Sequence, residues 1–321
     1  MLSLHKLELF VYVARAGSIS KAADHFLMSQ PNVSQHIQDL EADFGEQLLI
    51  RKYRGVVLTP AGETLLQYAQ EILRLVAEAK LAITDVSRLS EGSLALAATP
   101  GIGIYVLPEC VERFRARYPQ FTVSIKTGTT VDVLQFLAES QCDAGLIEGE
   151  LDDLRLPSQS GVLVLDDVKQ FVIVSQAHPW WNESALSIQA LDDQPVILRQ
   201  VGSQSRAWLD KLLRSYNVRL RYVGEFDNPE MIKRALLAGN AFAILPAYVV
   251  RHEVDSQMLR LLPLTDCELR RQLKLIWNKE WPFSPITYAF LQHLAHDYPA
   301  IQTILDVPRR SAPGAVHARR A

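Results

Sequence analysis

The chain has 321 residues, of which 48% are apolar and 21% charged, with a net charge of −3. These values exclude a largely disordered chain, a single small domain and a protein that holds polyanions by bulk charge alone. No run of about 18 uncharged apolar residues occurs, which argues against a membrane-spanning helix. The opening residues reach Glu8 too soon for a secretory signal, so the chain is expected to stay in the cytoplasm. Cys110, Cys142 and Cys267 are too few and too widely spaced for a disulfide framework or a zinc site.

Leu4, Leu7, Phe10, Val11 and Ala14 repeat at helical spacing, and Gly17 ends that helix. Ser18 or Ser20 caps a short second helix holding Ala22, Ala23 and Phe26. Ser29 caps a third, with Pro31 in its first turn and Val33, Ile37, Leu40 and Phe44 as its buried stripe before Gly45. Two short helices across a tight turn, behind a supporting helix, are the parts of a helix-turn-helix. The outer face of the third helix carries Asn32, Gln35, His36 and Asp39, with Gln30 and Ser34 beside them. Amide side chains there suit the major-groove edge of adenine, and serine suits phosphate.

Arg51-Lys-Tyr-Arg54-Gly55, followed by Val56, Val57 and Leu58, reads as a small β-wing with cations at its tip for flanking phosphates. Residues 1–62 hold six basic and six acidic side chains, so charge alone would not find this surface. A solvated face is the ordinary reading of any one polar helix; the order of the elements favours DNA. Leu65, Ala69, Ile72, Val76, Ala79, Ile83 and Val86 then alternate spacings of four and three. That is an a/d seam, and a helix that pairs with a second copy is preferred over one packed on its own domain.

From residue 91 strand-like and helix-like segments alternate, which predicts mostly parallel sheets. Ser93–Thr99 reads as a strand leading to Pro100-Gly-Ile-Gly103, then to a helix through Val106, Val111 and Phe114. Further strands are expected at Phe121–Lys126, Ala144–Ile147 ending on Glu148, Val196–Leu198 before Arg199, and Ala241–Leu245. Two half-domains are expected, with crossovers near residues 163–166 and 264–268. Ligands of open α/β sheets bind beyond the carboxyl ends of strands, where helix N-termini point. Three loops qualify: Thr99-Pro-Gly-Ile102, Thr129-Thr130, and Gly202-Ser-Gln-Ser205. Any one is more readily an ordinary helix cap; their convergence points to a small anion, with Arg199 or Arg206 completing the charge.

The stretch Phe10-Val-Tyr-Val-Ala-Arg-Ala-Gly-Ser-Ile-Ser-Lys-Ala-Ala, then Ser29-Gln-Pro-Asn-Val-Ser-Gln-His-Ile-Gln-Asp-Leu-Glu, then Leu58-Thr-Pro-Ala-Gly-Glu63, resembles the N-terminal domain of the LysR-type transcriptional regulators. The resemblance implies an all-α winged helix-turn-helix followed by a C-terminal two-lobed α/β domain like a periplasmic solute-binding protein. It implies promoter DNA, a small anionic metabolite effector, a homodimer or homotetramer and RNA polymerase as partners, with no cofactor. The expected domains are 1–58 for DNA binding, 59–90 as linker helix and 91–303 for the effector. Lobe I takes 91–164 and 268–303, lobe II takes 165–267, and 304–321 is expected to be a disordered tail. The implied DNA contacts are Gln30, Pro31, Asn32, Ser34, Gln35, His36 and Arg51, and the cap and wing tip add Ser29 and Arg54 as candidates. The candidate effector residues are Thr99, Pro100, Gly101, Ile102, Thr129, Glu148, Arg199, Gly202, Ser203, Ser205 and Arg206.

Gly103-Ile-Tyr-Val-Leu-Pro108 and Asp143-Ala-Gly-Leu-Ile-Glu-Gly149 are similar to the branch of Calvin-cycle operon and cysteine/sulfite regulators. Gln200-Val-Gly-Ser-Gln-Ser-Arg206 stands where such relatives often have Glu-x-Gly-Ser-Gly-Thr-Arg, so their effectors do not transfer. Enzyme motifs are absent, and His293, His296 and Asp297 lack a fourth metal ligand. Cys110 and Cys142 read as packing residues. The alternatives weighed are a two-lobed solute-binding protein and an enzyme with an appended DNA-binding module.

Overall fold

The computed structural model describes residues 2–52, 55–83, 89, 91–151, 154, 156–157, 159–279 and 283–305. It divides into two compact units, Met1–Leu89 with Asn278–Pro285 and Ser90–Trp277 with Ile286–Ala321.

The first unit contains α1 (Leu4–Ala16), α2 (Ile19–His25), α3 (Gln30–Phe44), β1 (Leu49–Lys52), β2 (Gly55–Leu58) and α4 (Pro60–Ile83). Each short helix has its own start signal. The hydroxyls of Ser3, Ser18 and Ser29 accept from the backbone N–H groups of Lys6, Lys21 and Asn32. Gly17 and Gly45, both left-handed, stop α1 and α3. Leu7, Phe10, Ala22, Val33, Ile37 and Leu40 form the core with Leu48 and Ala69; Phe44, expected in this stripe, is exposed because α3 outruns the core there.

Helix α4 departs from the expected seam. Ala69 is fully buried and Leu65 packs beside it, both against the core of their own unit. Ile72, an expected seam residue, is exposed together with Tyr68 and Leu75, which were not expected in it, at 37%, 67% and 51% exposure. The side chains of Ala79 and Ile83, and Val86 altogether, lie outside the described residues.

The second unit runs β3 (Gly92–Ala98), α5 (Pro100–Tyr105), α6 (Leu107–Arg117), β4 (Phe121–Thr127), α7 (Thr130–Ala138), β5 (Ala144–Glu148) and β6 (Ser160–Ser175). It continues through β7 (Pro195–Arg199), α8 (Gln204–Ser215), β8 (Arg221–Phe226), α9 (Pro229–Ala238), β9 (Ala243–Pro246), α10 (Ala247–Asp255) and β10 (Leu259–Leu262). It closes with β11 (Arg270–Asn278), α11 (Pro285–Leu294) and α12 (Gln302–Leu305). The strand order is β10-β6-β11-β5-β3-β4, with β9 also on β6, while β7 and β8 pair separately. β3 lies parallel to β4 and β5, and β7 parallel to β8. The strands that cross between lobes are antiparallel: β11 on β5, and β9 and β10 on the far end of β6. The sheets are therefore mixed rather than mostly parallel.

Pro100-Gly-Ile-Gly103, expected as a loop, belongs to helix α5, and the helix expected through Val106, Val111 and Phe114 starts only at Leu107, with a break at Val106 between the two. Pro108 has no N–H for the carbonyl one turn back, and its ring clashes there. Ile304 and Leu305, assigned to the tail, belong to α12; the rest of that tail lies outside the described residues. No helix among the described residues is long and apolar enough to cross a membrane.

Candidate functional site

The first unit presents the polar face of α3. Gln30, Pro31, Asn32 and Gln35 are exposed beside the Ser29 cap, and Ser34 is half-buried. Gln35 Nε2 donates to Asp39 Oδ1 at 2.9 Å, holding the amide along the helix. His36 is less available: half-buried, its ring stands edge-on to His5 with centroids 5.4 Å apart. Glu41 Oε1 accepts from the N–H groups of Leu48 (2.8 Å) and Leu49 (3.1 Å), fixing the hairpin β1–β2 to the end of α3. Thr59 Oγ1 donates to Gln47 O at 2.6 Å and accepts from Gly62 N at 2.9 Å, locking α4 beside the hairpin. A Cβ on Gly62 would lie 2.1 Å from Leu48 O, so this approach requires glycine. The Arg51 side chain and the whole of Arg54 lie outside the described residues; Lys52 is exposed at the end of β1.

The second unit holds a cavity of about 60 Å³. The N-terminal ends of α5, α7 and α8 meet there. Thr99, Pro100, Gly101, Thr129, Glu148, Arg199, Ser203, Ser205 and Arg206 line it. Two expected residues do not. Ile102 is fully buried in the core because α5 turns it inward, and Gly202 sits exposed in the preceding turn with φ of +89°. Thr130, from the expected Thr129-Thr130 loop, also lines the cavity, and so do Gln170, Trp208, Tyr248 and Arg271, which the sequence reading missed.

Hydrogen bonding separates the lining residues by role. Thr129 is spent in a capping box with Asp132, and Ser203 caps α8 by accepting from Arg206 N. Thr99 does not cap its helix; its hydroxyl accepts from Glu148 N at 3.2 Å. Arg206 Nε donates to both carboxylate oxygens of Asp210, and its guanidinium lies 4.4 Å from the Tyr222 ring centroid. Glu148 is buried among three donors: Arg271 Nη1 at 2.7 Å, Gln170 Nε2 at 3.0 Å and the Tyr248 hydroxyl. Arg271 also donates to Ser205 Oγ at 2.9 Å and to Glu148 O at 2.6 Å.

Arg199 differs from the other two arginines. Nη2 donates to Asp227 O at 2.6 Å, but among the described residues it makes no ion pair. Its Nε is buried without a partner, as is Nε of Arg271. Burial and the neighbouring Arg271 push the Arg199 guanidinium below its ordinary pKa, outweighing the opposing pull of Asp227, Tyr248 and Glu148. Burial, followed by the Glu148 carboxylate, pushes the Tyr248 phenol well up, so it remains a donor.

Arg271 had a signal in the sequence. It alternates with Leu273 and Leu275 on the buried face of β11, whereas Arg270 is exposed; a cation in an apolar period-2 stripe is the exception to look for. Tyr248 and Gln170 had none. Elsewhere, Cys110 and Cys142 are buried free thiols pushed up to about 11 and about 12, chiefly by burial. Asp297, near His293 and His296, pairs with Arg113. No cluster among the described residues has the make-up of a metal site.

Residues 4–63 match the bacterial regulatory helix-turn-helix protein family of lysR type, and residues 87–298 match the LysR substrate binding domain. A probable RuBisCO transcriptional regulator of Synechocystis sp. is 30% identical over 310 residues, covering 96% of this chain and 90% of its own. The transcriptional activator CmpR of Synechocystis sp. is 29% identical, over 92% of this chain and 96% of its own. The regulator CysL of Bacillus subtilis is 28% identical, over 84% and 89%. The fold is shared with full-length OxyR from Pseudomonas aeruginosa at TM-score 0.63 and 22% identity, covering 92% of this chain and 95% of that one. It is also shared with CbnR in complex with its target DNA, at TM-score 0.53 and 22% identity over 92% and 99%. The chain therefore belongs to the LysR family of transcriptional regulators, with a helix-turn-helix DNA-binding domain and an effector-binding domain, in the branch of the Calvin-cycle and cysteine regulators.

Proposed function

We propose that this regulator acts in the cytoplasm, without catalytic turnover, as a homodimer or homotetramer on promoter DNA, with RNA polymerase as its partner there. Residues 1–58 read the duplex, 59–90 pair two copies, and 91–303 bind a small anionic metabolite. Ser29, Gln30, Pro31, Asn32, Ser34 and Gln35 enter the major groove, with Arg51 and Arg54 on flanking phosphates and His36 at the margin. The effector sits among Thr99, Pro100, Gly101, Ser205, Arg199 and Arg271.

The observation that carries the effector reading is Arg199: a cation with a buried, unpartnered Nε and, among the described residues, no ion pair, beside a second arginine. Uncompensated charge in such a setting is costly unless a ligand supplies the counter-charge. A ligand that engages groups from both lobes favours their closed arrangement, and the linker helices pass this to the spacing of the two recognition helices. Thermal-shift titration with small organic and inorganic anions, on wild type and Arg199→Gln, tests the site; quantitative footprinting with and without the stabilising anion tests the coupling. Protection lost in the variant and an altered footprint are expected. Protection equal in both proteins, or an unchanged footprint and bend, would sink the reading.

A further inference from the structure

The charges around the cavity carry a deeper statement about the ligand, one that rests on the anionic-effector reading. Glu148 is the one acidic side chain among the described residues lining the cavity. Both its oxygens accept from donors and none is left to a neighbour: Oε1 from Arg271 and Gln170, Oε2 from Tyr248. Arg271 and the Gln170 amide N–H can only donate, so Oε1 is an acceptor, and the ion pair with Arg271 is what this carboxyl supplies. Arg271 is spent on this carboxylate and on Ser205, and Arg206 on Asp210. The Asp227 carboxylate is exposed and accepts from Asn228, and only its backbone oxygen meets Arg199. Arg199 forms no ion pair among the described residues, and the Asp227 and Glu148 carboxylates act on it only from a distance.

We propose that Glu148 is a built-in counter-anion that neutralises Arg271 and thereby sets the charge of the effector's bound head at one. The fixed carboxylate admits a monoanionic group onto Arg199 and the free Nε of Arg271. A dianion of the same shape places a second negative charge in the same low-dielectric space as Glu148. That repulsion is relieved when Glu148 takes up a proton, which then donates to the ligand or to the Tyr248 oxygen. The monoanion binds with no proton exchanged.

Methanesulfonate and sulfate are tetrahedral groups of similar size that differ by one charge, and neither is protonated near neutral pH. Calorimetric titration of the full chain with each, in two buffers of different protonation enthalpy, reads affinity and proton uptake together. Methanesulfonate is expected to bind more tightly, with an affinity flat between about pH 6 and about pH 8; sulfate is expected to take up about one proton and to weaken about tenfold per pH unit. Glu148→Gln is expected to remove the proton uptake and to tighten sulfate by about tenfold or more. If that variant fails to fold, the proton count in the wild type still decides. Sulfate bound in preference and without proton uptake would overturn the role of Glu148 while leaving the anion site standing. Binding of neither anion to the wild type, or equal binding to Arg199→Gln, would overturn the site beneath it.

Discussion

Arg271 holds its position because Gly149 follows Glu148. Gly149 has φ of +132°, and a Cβ there would lie 2.2 Å from Arg271 Nη2. Glycine alone tolerates both the backbone and the approach. Gly149→Ala is expected to destabilise the effector-binding domain by about 2 to 4 kcal/mol, through strain and the displaced buried ion pair; its unfolding midpoint checks this. A midpoint within error of wild type would mean that Arg271 moves aside at no cost. This is also where the sequence was least readable. Glu148 was found as the end of an apolar strand and Arg199 as the residue before a serine-rich turn. Tyr248 and Gln170 come from distant elements, and no local pattern marks a side chain whose partner lies 100 residues away along the chain.

Helices α3 and α4 show what periodicity does and does not determine. On α3 the apolar stripe and the serine cap were both legible, and the outward face followed from them. Gln35→Ala is expected to relax base preference at one position by about 1–3 kcal/mol, whereas Arg51→Ala weakens all sequences alike and lowers the salt slope by about one. Competition binding on single-base variants at several salt concentrations separates the two; a uniform loss in both would reassign the face. On α4 the repeat was legible but its direction was not. An apolar helix with two adjacent stripes fits the same heptad in either register, and the core around Ala69 decides which one turns inward. Ile72→Asp is therefore expected to shift the chain towards monomer in sedimentation while the DNA-binding domain stays folded. Ala69→Asp, burying a charge, is expected to unfold that domain by about 3 kcal/mol or more. Equal oligomeric states for wild type and Ile72→Asp would remove the pairing surface from α4.

At the scale of the whole effector-binding domain, the lobes meet at more than the cavity. Tyr105 of lobe I donates to Glu230 Oε2 of lobe II at 2.5 Å, and Lys233 bridges Glu230 and Glu253. Burial alone would raise Glu230, but the hydrogen bonds from Lys233 and Tyr105 outweigh it and hold its carboxyl below the usual 4.5. A depressed carboxyl contributes stability above its unfolded pKa and loses it as the pH falls through the folded one. The loss of stability on acidification below about pH 5 is thus expected to be shallower in Glu230→Gln, as followed by thermal midpoints; parallel curves would show that the contact adds nothing. The two-lobed plan was legible from strand–helix alternation. The antiparallel return strands were not, because an alternating apolar segment reads the same in either direction.

Strand β6 makes the lobes interdependent in a further way. Its residues 170–175 carry the pairings of β9 and β10, and β11 neighbours it in the same seven-stranded order. Opening this order at β6 strips one rail of the ladder from β9, β10 and β11 together, so neither half has a complete set of backbone partners by itself. Calorimetry of the effector-binding domain is expected to show one endotherm with matching calorimetric and van't Hoff enthalpies, and two separable peaks would contradict this. The same shared rail means that no excised half is a usable miniature, and that ligand grip in the crevice is felt as torsion along a continuous ribbon.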